Sequence, residues 1–130
     1  MGIGGLRMQD RFKFRVWKVN EKRMVEGVTY LNPLILDEEI NLDEAKNNIL
    51  MQCTGLKDKN GKLIFEGDII DIWCKNLTKN QISEVKFNEE RAAFTFDYFT
   101  DYGNIVPCTM EKTEIKVIGN IYENPELLEY

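Results

Sequence analysis

The sequence predicts an all-β fold, a sandwich or a small barrel, and three observations carry that prediction. Apolar runs of strand length recur in quick succession from Ile49 to Tyr122. The connections between them are short and carry Gly or Asn, the residues that tight turns need. Helical spacing of apolar residues is nearly absent.

Residues 1–7 are Gly-rich and match neither a strand nor a helix, so they are expected to form a poorly ordered tail. Gly4-Gly5 two residues ahead of a methionine is how an in-frame ribosome-binding sequence reads when translated, which makes Met8 the expected natural start. Phe12 to Trp17 alternates strictly, with Phe12, Phe14 and Val16 on one face and Lys13, Arg15 and Trp17 on the other, the pattern of a half-buried strand. A polar turn at 19–23 leads into a returning strand, Met24 to Leu31. From Asn32 to Asn48 periodicity fades into an acidic surface loop with at most one helical turn.

The next strands are predicted at Ile49–Leu56, Leu63–Phe65, Ile69–Lys75, Ile82–Phe87, Ala92–Phe99, Asn104–Cys108 and Glu114–Tyr122. Asn60-Gly61 suits a two-residue type I′ hairpin, in which both central residues take positive φ. Glu66-Gly67-Asp68 is a second corner. Gly119 interrupts the last strand and predicts a bulge or a close backbone approach. Asn124 as cap and Pro125 at the first helical position predict one final turn, with Leu127 and Leu128 docking on the barrel.

At 130 residues the chain fits one domain with a real core. It has no apolar run of membrane-spanning length and no signal peptide, so a cytoplasmic protein is expected. Cys53, Cys74 and Cys108 form no CxxC pair and sit among apolar neighbours, as reduced, buried thiols do. Histidine is absent, which removes His-activated nucleophiles and the commonest transition-metal ligand. A net charge of −5 argues against a general grip on phosphate backbones.

Four carboxylates, Asp58, Glu66, Asp68 and Asp71, bunch around the hairpin. A metal or acid–base site needs oxygens converging on one point, but Asp68 and Asp71 lie three apart on a strand and point to opposite faces. Turn chemistry, with Asp68 accepting nearby backbone N–H groups, is the better account. The acidic stretch 37–44 lacks the ligand spacing and central Gly of a calcium loop. Phe94, Phe96 and Tyr98 share one strand face and resemble a base-stacking row, yet Asp97 and Asp101 stand where phosphate-tracking cations belong. A barrel wall explains the row better. Tyr98, Phe99 and Tyr102 are the candidate interaction surface, an edge for a partner or a second subunit.

Three separated motifs in order carry a resemblance: Phe12 to Trp17; Gln52 to Lys62 with Glu66-Gly67-Asp68-Ile69; and Val117 to Leu128. Together they resemble the YopX family of phage and prophage proteins, from Met8 to the C-terminus. The resemblance implies an SH3-like barrel at 49–130 behind an N-terminal β extension at 8–48, within one β domain at 8–130. It also implies a bacterial or phage origin, and it supplies no catalytic residues to carry over. The expected function is that of a non-enzymatic accessory module that binds an unidentified host or phage protein, or a second copy of itself. No cofactor, metal or membrane is expected. A nucleic-acid role in replication, recombination or transcription ranks second, and it needs a basic face around Phe94 to Tyr98. Third is a carboxylate-dependent hydrolase, which needs two or more of Glu66, Asp68, Asp71, Asp97 and Asp101 converging in a cleft.

Overall fold

Among the described residues, strands and isolated 3-10 turns make up the regular elements. The computed structural model describes residues 9–29, 47–73, 80–99, 105–109 and 114–128, with the backbone alone at 27–29, 98–99 and 105–109. The expected tail at 1–7, most of the acidic loop at 32–48, and Cys74 lie outside the described residues. The chain divides into two compact units, Met1–Leu56 and Lys57–Tyr130.

The first unit contains β1 (Lys13–Lys18), β2 (Arg23–Thr29) and nearly all of β3 (Ile49–Lys57). β1 pairs antiparallel with both of the others. Phe12, read as the first strand residue, instead closes a 3-10 turn over Asp10–Phe12, its N–H donating to the Gln9 carbonyl at 2.9 Å. The faces of β1 also differ from the simple alternation. Arg15 is only 4% exposed and sits opposite Met51, which is buried like Cys53 two residues on, whereas Val16 faces the exposed Leu50. An arginine stem can bury along apolar neighbours, so the central strand of a sheet tolerates it where polarity alone would place it outside. Cys53 is a buried thiol outside any disulfide.

The second unit is an SH3-like half-barrel. One sheet runs in the order β10 (Glu114–Asn120), β5 (Asp68–Trp73), β6 (Gln81–Glu84), and another runs β7 (Lys86–Asn88), β8 (Ala93–Phe99), β9 (Ile105–Thr109). β4 (Leu63–Phe65) precedes β5. The run 82–87, expected as one strand, is two. Val85 breaks it: its side chain is fully buried, and its backbone bonds to the Glu66-Gly67-Asp68 corner, N–H to the Asp68 carbonyl and carbonyl from the Gly67 N–H, both 2.9 Å. A strand that switches sheets at such a bend is how two small sheets share one core.

That core is Ile64, Ile70, Ile72, Val85, Phe96, Ile115 and Val117, with Phe94 packed against it. Each side chain withdrawn from water in this way stabilises the fold by about 1.5–3 kcal/mol. Of the two expectations for Gly119, the bulge holds, and the group that comes close is a side chain and not another backbone. The register shifts there, so that Val117 faces Ile70 while Gly119 faces Ile69. A Cβ at Gly119 would stand 2.6 Å from Asn124 Oδ1, closer than real side chains come. The chain ends in the expected single turn, Pro125–Leu128.

Candidate functional site

The carboxylates around the hairpin separate into two kinds, and local bonding explains the first. The hairpin is not type I′: among described non-glycine residues only Lys22 and Ala92 have positive φ, so Asn60 does not. It is a three-residue connection, with the Gly61 N–H donating to the Asp58 carbonyl at 3.0 Å and the Asp58 N–H to the Lys62 carbonyl at 2.8 Å. Gly61, at φ +84°, supplies the left-handed residue that this longer loop needs.

Asp58 organises the loop. It is 8% exposed, its Oδ1 accepts the N–H groups of Asn60 and Lys62 at 2.9 Å, and its Oδ2 accepts the Val117 N–H at 3.0 Å. Burial alone pushes its pKa up, but the bonds from Val117, Lys62 and Asn60, with the Lys62 ammonium, outweigh it and hold the carboxyl below its ordinary value. Asp68, 1% exposed, accepts the Phe65 N–H at 2.8 Å across the second corner. Both acids serve the backbone, as turn chemistry predicts.

Asp71 is the other kind. It stands directly opposite Lys116 and next to the Trp73–Glu114 pair, on the face of β5 and β10 turned away from Ile70, Ile72, Ile115 and Val117. Lys59 joins them because its N–H donates to the Ile115 carbonyl at 3.0 Å. Lys59, Asp71, Trp73, Asn80, Glu114 and Lys116 line a cleft of about 370 Å³. Trp73 is 44% exposed. Among the described residues, Asp71 Oδ2 meets only Asn80 Nδ2, at a long 3.4 Å, and no protein donor reaches its buried Oδ1. The cleft gathers two carboxylates, two ammonium groups, an amide and an indole, four of them carried on β5 and β10 and two, Lys59 and Asn80, on the adjoining loops.

The remaining candidates are placed as follows. Tyr98 and Phe99 belong to β8, paired with Val106 and Ile105, while Tyr102 lies outside the described residues. Phe96 is buried, and the partly buried Phe94 packs on the core and, edge-on at 5.2 Å, on Phe87. Of the hydrolase carboxylates, Asp68 is sealed, Asp71 alone lines the cleft, and Asp101 is outside the described residues. No group of three or more potential metal ligands occurs among the described residues. Glu84 has its pKa raised by burial; Lys86 draws it down, and Asp97 and Glu66 push it up. Lys59, Trp73, Glu114 and Lys116 escaped sequence reasoning as site residues because their meeting depends on the β5–β10 register and on the hairpin's bond to β10. One sign was legible: Trp73 occupies the solvent-side position of an Ile-Asp-Ile-Trp alternation.

An all-β protein, with an SH3-like half-barrel bearing a tryptophan-edged polar cleft, is the class these features define. A family model described as YopX protein matches residues 13–129, and the chain belongs to the YopX family. It is 35% identical over 102 residues to the SPbeta prophage-derived uncharacterized protein YopX of Bacillus subtilis (strain 168), covering 76% of this chain and 74% of that one. The crystal structure of that species' yopX superposes with a TM-score of 0.60 at 25% identity, over 92% of this chain and 99% of the other. The crystal structure of protein EF1440 from Enterococcus faecalis superposes at 0.57 with 33% identity, over 90% and 97%. No helix among the described residues is long and apolar enough to cross a membrane.

Proposed function

We propose that the chain is a non-enzymatic β-barrel module of the bacterial cytoplasm that acts by binding a host or phage protein. The observation that carries this reading is the outer-face cleft, where an exposed Trp73 stands beside a carboxylate with little hydrogen bonding of its own. Tryptophan is enriched among the residues that dominate protein interfaces, and here its backbone is already fixed by strand pairing, which lowers the ordering cost of binding. The cleft sets its two carboxylates among two ammonium groups, an amide and an indole, and such a mix of charges favours selective binding.

Affinity capture from a lysate of phage-induced cells tests the reading. A partner retained by the native chain and lost from Trp73→Ala is the expected result. A chain that retains nothing, or retains the same proteins after that substitution, overturns it.

A further inference from the structure

We propose that the cleft takes an arginine side chain presented by an extended peptide segment. This rests on the protein-binding reading and names the partner's chemistry. The half-buried charge in the cleft is the carboxylate of Asp71; Lys59, Lys116 and Glu114 are exposed at its rim, where solvent screens them. A carboxylate has about four acceptor positions, and among the described residues Asp71 uses one, weakly. A guanidinium supplies several planar, permanently charged donors for a carboxylate oxygen that is short of them. Oδ1 is buried, so the guanidinium meets the carboxylate through Oδ2, whose described contact is the long 3.4 Å one with Asn80.

The neighbouring indole completes the match. Trp73 lies two residues along the same strand on the same face, and guanidinium groups stack on indole better than on any other ring. An ammonium has no plane to stack and no fork to present, so lysine is the poorer occupant. The net charge of −5 draws a basic segment toward the surface and repels an acidic one.

Selection of a displayed random-peptide library on the intact chain is the test. The expected outcome is enrichment of peptides that share an arginine. Replacing that arginine by citrulline, its neutral isostere, should weaken binding by about tenfold or more, and by lysine less. Trp73→Ala and Asp71→Asn should each weaken the same peptides by a similar factor while the melting temperature stays put. Enriched peptides without arginine, tolerance of citrulline, or undiminished binding by both variants overturns the inference and leaves the protein-binding reading standing. Absence of any enriched peptide also overturns it, and lysate capture then decides the broader reading separately.

Discussion

Asp58 and Asp71 are both aspartates against β10, one at its hairpin and one across its outer face, and their surroundings differ in kind. Asp58 accepts three backbone N–H groups at 2.9–3.0 Å and is nearly sealed from solvent. Among the described residues Asp71 has a single contact, at 3.4 Å, beside an open cleft. Position within a motif does not separate them, since both fall in the same acidic stretch of sequence. What separates them is how fully the fold satisfies each acceptor. A satisfied carboxylate is architecture, and one left short of donors on a rigid surface is available to a partner.

The sharpest way to break that contrast is through stability. Phe96→Ala, which empties the centre of the half-barrel core, sets the scale and should cost about 3–5 kcal/mol in chemical denaturation. Asp58→Ala comes next. It leaves three N–H groups without their acceptor and should cost about 2–3 kcal/mol, whereas Asp71→Ala should stay within about 0.5 kcal/mol of the native chain. Equal losses at the two positions would remove the distinction between them.

Gly119→Ala should cost about 1–3 kcal/mol, because the new methyl displaces the Asn124 side chain that accepts the Asn120 N–H at 3.3 Å. Thermal melts of Gly119→Ala with and without Asn124→Gly check the cause: relief of the clash should make the pair less than additive.

Acid titration gives two smaller effects of opposite sign. The Asp58 pKa is lower folded than unfolded, so its contribution is present above the ordinary value of 3.8 and fades as pH falls through the folded pKa. The stability gap between the native chain and Asp58→Asn should therefore narrow below that value. The Glu84 pKa is higher folded than unfolded, so its ionised form weakens the fold at neutral pH and the penalty disappears as pH falls below the ordinary 4.5. Glu84→Gln should raise the melting temperature slightly near pH 7 and leave it unchanged in acid, by differential scanning calorimetry.

Much of the fold was legible in the residues because strands bounded by turn formers report themselves locally. Leu63–Phe65 appears with its predicted limits, and Gly119 marks both the bulge and the close approach that its missing side chain permits. Local reading failed where a distant partner decides the outcome. Val85 breaks a continuous apolar run because the corner at 66–68 captures its backbone, and Arg15 is buried because it meets Met51 across the sheet. The three-residue hairpin follows the same rule, since Asp58 reaches Val117 and sets the loop from outside it. The cleft is the extreme case: Asp71 was visible as a carboxylate, but its neighbours Glu114 and Lys116 arrive only through pairing with a strand far along the chain.

The bonds from the hairpin to β10 also bear on how the protein behaves in a crowded cell. β5 occupies one side of β10, and on the other the Ile115 carbonyl takes the Lys59 N–H while the Val117 N–H goes to Asp58. An uncovered strand margin is a template onto which any extended chain, including another copy of the same protein, can crystallise hydrogen bond by hydrogen bond. The loop at 58–62 occupies that template at its centre. The carboxylate that shapes one turn thereby also covers part of a strand margin.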